Sequence, residues 1–204
     1  MRIIPEYKAI YVHIPKTAGN SISDAIDSLP DCNPLSEYKG KQFKHIRARE
    51  LKALTGGEMW NGHFTFAFVR NPWDQMVSCY NWWTQIAPQW PKNDKAVTAI
   101  RAAGDFNGFM QLRYGRYMIN EFGGSTFDWI SDKAGNLIVD YIARFENLQD
   151  DWCEICRRLG APHKPLPHLN KTTRASYRDY YTDETREFIA QRFRQTIEFF
   201  GYTY

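Results

Sequence analysis

Apolar positions along the chain fall into two alternating kinds of segment: short continuous runs, and stretches with a period near 3.6 residues. The first run, Ala9 to Ile14, ends at Pro15; after a glycine, Ser21 to Leu29 carries Ile22, Ala25, Ile26 and Leu29 at helical spacing. That pattern predicts a strand, a turn and a helix. Arg47 to Leu54 reads as a short helix closed by Gly56-Gly57. Phe64 to Val69 (FTFAFV) shows no polar alternation, as expected of a central parallel strand covered on both faces. It stops at Asn71-Pro72, because a residue before proline is pushed out of helical geometry while proline itself suits the first turn of a new helix, here Trp73 to Gln85. Lys95 to Ala103 and Phe106 to Met118 predict two more helices, and Trp129 to Arg144 a hairpin turning at Asp132 to Asn136 into the strand LIVDYIAR. Glu146 to Leu159 is a helix ended by Gly160. A polar, proline-punctuated loop, Ala161 to Tyr181, precedes a last helix, DETREFIAQRFRQTIEFF, capped by Thr182 and followed by Gly201. With no internal repeat, low-complexity tract or long polar linker, alternating strands and helices imply one α/β domain with a mostly parallel sheet flanked by helices.

Composition narrows the function classes. A chain of 204 residues can bury roughly 70% of its extended surface in one core without disulfides. Hydrophobic residues make up 43% and the mean hydropathy is -0.57, which excludes a disordered chain. The longest uncharged apolar run, Phe64 to Val69, is far short of the about 20 residues of a membrane span. The N-terminal MRIIPEYKAIYVHIPK lacks a signal-peptide apolar segment, so a cytoplasmic location is expected. A net charge of +3 does not mark a nucleic-acid-binding surface, so any basic site must be local. The four cysteines, few and unevenly placed, argue against a disulfide framework; Cys153 and Cys156 form a C-x-x-C within a helical pattern and, with neither a preceding strand nor a second pair for zinc, read as buried structural thiols.

Two segments carry chemistry. HIPKTAGNS, His13 to Ser21, lies where the first strand meets the first helix, a place where α/β sheets bind phosphate. Gly19 lets the backbone approach a ligand, successive N–H groups face an anion, and Lys16, Thr17, Asn20 and Ser21 add donors. It is not a Walker A loop, since Lys16 precedes the glycine instead of following a second one. In FAFVRNPWDQMVSCY, Arg70 follows a buried strand and Ser78 stands eight residues on, about two helical turns into the next helix, so guanidinium and hydroxyl could grip one phosphate. An arginine holding a helix carboxyl end or an internal Asp is the alternative.

HIPKTAGNS followed by FVRNPWDQMVSCY resembles the paired motifs of the sulfotransferases that use 3′-phosphoadenosine 5′-phosphosulfate (PAPS), in particular the carbohydrate branch that includes heparan sulfate 2-O-sulfotransferases and small bacterial relatives. DYIARFENLQDDW and PHLNKTTRASYRDYYTDETREFI are similar to further segments of the bacterial members. The resemblance implies a P-loop-like α/β fold in which Lys16, Thr17, Ala18, Gly19, Asn20 and Ser21 bind the 5′-phosphosulfate, and Arg70 and Ser78 the 3′-phosphate. Asn20 departs from the family's usual threonine, which implies an altered contact and not a lost site. The same resemblance makes Lys171, Thr172 and Arg174 of the loop HLNKTTR candidate nucleotide contacts, and His45 the candidate base. By residue type alone, that loop is a basic surface connection.

Sulfuryl transfer needs in-line attack, removal of the acceptor proton and neutralisation of charge on the leaving phosphate. Lys16 suits the last role, and a neutral imidazole at His45 suits the second. His63, before FTFAFV, is expected at the opposite strand end, and His13 reads as a packed histidine. No metal is required. Trp82, Trp83 and Trp90 either stack on sugar faces or pack the domain or a homodimer contact. A non-catalytic nucleotide- or glycan-binding module and a nucleotide kinase are the competing classes.

Overall fold

The structure, a computed structural model, describes residues 1–42, 44–120, 125–169 and 172–204. Its contacts divide the chain into two compact units, each built from two segments: Met1–Arg70 with Phe127–Leu169, and Asn71–Thr126 with Asn170–Tyr204.

The first unit holds a four-stranded sheet in the order β1 (Arg2–Ile4), β2 (Ala9–Val12), β5 (Phe64–Val69) and β6 (Tyr141–Arg144). A two-stranded hairpin, β3 (Glu37–Tyr38) with β4 (Lys41–Gln42), stands apart from it. β5 pairs in parallel with β2 and with β6, while β1 runs antiparallel at the β2 edge. The uninterrupted apolar run Phe64–Val69 thus takes the central position its pattern predicts, with five of its six residues buried. Residues from one face of the sheet form a core within this unit. Tyr11, Phe66 and Phe68 of the sheet pack with Ile22 and Ile26 of α1 (Gly19–Asp27) and with Trp152, Ile155 and Cys156 of α8 (Leu148–Leu159). Two shorter helices, α2 (Ala48–Thr55) and α3 (Gly57–Asn61), lead into β5.

Three local outcomes depart from the sequence pattern. The strand predicted from Leu137 begins only at Tyr141, because the Asp140 carboxylate accepts from both the N–H and the hydroxyl of Thr65 at 2.8 Å, taking the place of a ladder bond. The turn before it closes as expected, with a bridge between Ser131 and Leu137. β1, only three residues long and stopped by Pro5, is too short to show a period. Cys153 is exposed, so of the C-x-x-C pair only Cys156 lies on the buried face of α8; all four cysteines are free thiols.

The second unit is helical: α4 (Pro72–Asn81), α5 (Asp94–Ala102), α6 (Phe106–Gln111), α7 (Arg113–Asn120), α9 (Asp183–Arg192) and α10 (Arg194–Phe200). The Asn71 side chain caps α4 by accepting from the N–H groups of Trp73 and Asp74, with Pro72 in the first turn. After Asn81 the chain continues through a π-helical turn, Trp82–Ile86. The helix predicted over Phe106 to Met118 breaks at Leu112 because α7 folds closely onto α6: a Cβ on Gly115 would stand 2.5 Å from the Phe109 carbonyl oxygen. Thr182 caps α9 in a reciprocal arrangement with Thr185. The unit's core gathers Trp73, Met76, Val77, Phe106, Phe109 and Ile189. Among the described residues no helix is long and apolar enough to cross a membrane.

Trp152 is 1% exposed and donates its indole N–H to the Lys164 carbonyl at 3.0 Å. Trp152→Ala is expected to cost about 3–5 kcal/mol of unfolding free energy in a denaturant titration; a cost below about 1 kcal/mol would show that α8 does not anchor this core.

Candidate functional site

The carboxyl ends of the parallel strands β2, β5 and β6 meet at one edge of the first unit's sheet. From β2 the chain passes through His13 and Ile14 into the loop Pro15–Ala18 and then into α1. Lys16 and Ala18 adopt left-handed backbone angles, φ 67° and 64°. Neither is glycine, so each carries a conformational cost of roughly 1–2 kcal/mol that the surroundings must offset. Such alternation turns successive N–H groups toward one point, a concavity for an anion, and here it opens onto the positive end of α1.

Two hydrogen bonds hold the loop. The Thr17 hydroxyl, fully buried, donates to the Ile14 carbonyl at 2.8 Å. Arg70, the residue after β5, is 5% exposed, lies with its guanidinium carbon 3.7 Å from the centre of the Phe145 ring, and donates from Nη1 to the Lys16 carbonyl at 2.9 Å. The two sequence motifs are therefore joined directly, with Arg70 bracing the backbone of the lysine whose carbonyl it holds. Ser21 accepts the Leu169 N–H at 3.2 Å, which fixes the beginning of the late loop against α1. Of the four donor side chains read from the sequence, Thr17 points its proton inward, Ser21 is engaged, and Lys16 and Asn20 reach the surface.

The need for glycine at position 19 comes from a neighbour unseen in the sequence. Gly19 has an ordinary φ, and a Cβ there would fall 1.6 Å from His13 Nε2. The imidazole of His13 occupies that space, stacked on Tyr11 at 5.5 Å and meeting the His45 ring edge-on at 4.4 Å. His45 Nδ1 lies 3.1 Å from the His13 carbonyl oxygen. A carbonyl only accepts, so the proton sits on Nδ1 and the neutral ring's lone pair on Nε2. Burial, and next the adjoining His45, hold His13 well below its usual 6.5. Burial likewise pulls His45 down to about 4, against the opposing His13 carbonyl contact. The two rings are thus neutral at physiological pH.

A pocket of about 400 Å³ is lined by His13 of this pair together with Asn20, Ser23, Asp24 and Lys44. No group of three or more His, Cys, Asp or Glu side chains that could hold a metal occurs among the described residues.

The remaining predicted positions belong to the second unit. Ser78 is half-buried in α4, its hydroxyl without a hydrogen-bond partner among the described residues. Arg174 pairs with Asp74 at 2.5 Å, a carboxylate in the first turn of α4. Thr172 is half-buried, and Lys171 lies outside the described residues. Trp83 packs on Tyr114 at 5.5 Å, while Trp82 stacks with Trp90, which is 40% exposed. His63 is half-buried just before β5, at the strand end away from the loop.

A family model described as the sulfotransferase family matches residues 1–203. The chain belongs to the sulfotransferase family. This sulfotransferase is 23% identical to Carbohydrate sulfotransferase 10 of Xenopus laevis over 90% of its own length, and spans 59% of that protein. It is 26% identical to an uncharacterized protein of Archaeoglobus fulgidus, over 63% of this chain and 93% of the archaeal one. No solved structure gives a significant match.

Gly19→Ala is expected to displace the His13 ring and lower stability by about 1–3 kcal/mol in thermal or urea melts; an unchanged melt would contradict the close packing. Acid sensitivity follows from the histidine pair. Because burial depresses both rings in the folded state, the unfolded chain binds more protons below its pKa of about 6.5, and the stability present above that pH is lost as pH falls toward 4. The urea midpoint should decline between pH 6.5 and 5, before carboxylates titrate, and His45→Gln should flatten that slope; a flat wild-type profile would contradict burial of the pair.

Proposed function

We propose that this chain transfers the sulfuryl group of PAPS to a hydroxyl of a saccharide acceptor. The observation that carries the reading is the braced loop: two left-handed non-glycine residues, at the carboxyl edge of a parallel sheet and at the start of α1, held by an arginine from the next strand. Conformational cost is tolerated where it shapes a binding concavity, and a 5′-phosphosulfate is the anion this family uses.

The donor brings an activated bond between sulfur and the phosphate bridging oxygen. Backbone N–H groups from Thr17 to Ser21 would hold the phosphosulfate, and Lys16 would neutralise charge on the bridging oxygen as that bond breaks with its electron pair going to phosphate. The acceptor oxygen forms the new bond to sulfur and its proton passes to His45 Nε2, whose lone pair is set by the Nδ1 contact to the His13 carbonyl. A ring held near 4 remains unprotonated, and so competent as a base, throughout the neutral range. Arg70 acts on the loop, and its assignment to the 3′-phosphate rests on family resemblance. Ser78, Thr172 and Arg174 are assigned to the nucleotide on family resemblance alone. The saccharide rests on the relative named Carbohydrate sulfotransferase 10.

Lys16→Ala is expected to abolish transfer of labelled sulfate from PAPS, and His45→Ala to lower kcat about 10²–10⁴-fold while 3′-phosphoadenosine 5′-phosphate still raises the melting temperature. Unaltered turnover in either variant would overturn the assigned role.

A further inference from the structure

We propose that the 400 Å³ pocket beside the loop is the acceptor subsite and that it selects an uncharged, hydroxyl-rich unit, a neutral mono- or disaccharide end, over a polyanionic glycan. The inference rests on the sulfotransferase reading and specifies its substrate class.

Size sets the first limit. Small-molecule sites run from about 300 to 1,000 Å³, so a pocket of about 400 Å³ takes a short unit and not a length of polymer. Charge sets the second. The wall carries two cations, Arg2 and Lys44, and two carboxylates, Asp24 and Asp27. Arg2 is committed to Asp27 through two parallel bonds of 2.7 and 2.8 Å, so this pair offers a neutral hydrogen-bonding surface. That leaves Asp24 and Lys44, neither of which forms an ion pair among the described residues. A glycan dense in sulfate or carboxylate would meet Asp24 unpaired, whereas a sugar hydroxyl, donor and acceptor at once, is served by carboxylate and ammonium alike.

Ser23 is the observation that marks the pocket as built for a ligand. It is 8% exposed and lines the pocket, yet its hydroxyl has no hydrogen-bond partner among the described residues. Other hydroxyls nearby turn inward: Ser28 donates to the Asp24 carbonyl at 2.8 Å and Thr17 to that of Ile14. A ligand hydroxyl in the pocket would give the Ser23 hydroxyl a hydrogen-bond partner. Asn20, on the same wall and one residue after Gly19, places this polar surface next to the loop. An amide there extends the hydrogen-bonding wall into the pocket.

The test is calorimetric titration of the wild type, Ser23→Ala and Asp24→Lys, with and without saturating 3′-phosphoadenosine 5′-phosphate. The probes are a set of neutral disaccharides differing in linkage and a fully sulfated heparin disaccharide. The wild type is expected to bind at least one neutral disaccharide more tightly than the heparin disaccharide. Ser23→Ala should weaken that binding about fivefold. Asp24→Lys, a change at an exposed position, should weaken it tenfold or more and strengthen binding of the heparin disaccharide. The proposal is overturned if the heparin disaccharide binds the wild type better than every neutral one, if no saccharide binds, or if Asp24→Lys moves neither constant. Failure of the nucleotide itself to bind counts against the donor reading and leaves the saccharide titrations to decide the pocket.

Discussion

The hydrogen bond from Arg70 Nη1 to the Lys16 carbonyl, 2.9 Å long and partly buried, holds together what the chain separates by more than fifty positions. Lys16 and Ala18 adopt backbone angles that L-residues disfavour, and isolated loops relax away from such angles. Here the loop cannot relax without breaking a charge-assisted bond and lifting the guanidinium off Phe145. Because Arg70 directly follows the central strand, the loop's shape is tied to an element with five of its six residues buried. In the proposed function, a chain with a net charge of only +3 would bind its anion through oriented N–H groups, a helix terminus and one lysine, not through a broad basic surface.

A second chain of contacts runs from the loop toward the proposed chemistry. Gly19 yields its side-chain volume to the His13 ring, and the His13 carbonyl selects the tautomer of His45. Burial holds both rings neutral. Gly19, His13 and His45 are therefore packed together, and a change at any of the three is felt by the other two. In the proposed mechanism this coupling would give His13, read from the sequence as a packed histidine, a positioning role toward His45.

Much of this was legible from residue order. FTFAFV stood out because it shows no polar alternation, and it occupies an interior place in the sheet. HIPKTAGNS was recognisable because donors crowd a strand–helix junction, and the capping of the final helix could be read from Thr182 onward. What stayed hidden depends on contacts distant in sequence. Gly19 looked like a residue that lets backbone approach a ligand, whereas the approach is to His13. Thr17 and Ser21 counted as free donors until their partners at Ile14 and Leu169 were known. The break at Leu112 follows from Gly115 pressing on Phe109, and the late start of β6 from one carboxylate, Asp140, replacing a ladder bond. Neither leaves a trace in hydrophobic period.

The central claim, that a braced loop of left-handed residues is the donor anion site, is tested most directly by a crystal structure with 3′-phosphoadenosine 5′-phosphate. The account predicts the 5′-phosphate within hydrogen-bond distance of the N–H groups between Thr17 and Ser21 and of Lys16 Nζ, with the Arg70 bond to the Lys16 carbonyl intact. A nucleotide bound elsewhere, or a loop that abandons its left-handed angles when the phosphate enters, would contradict it.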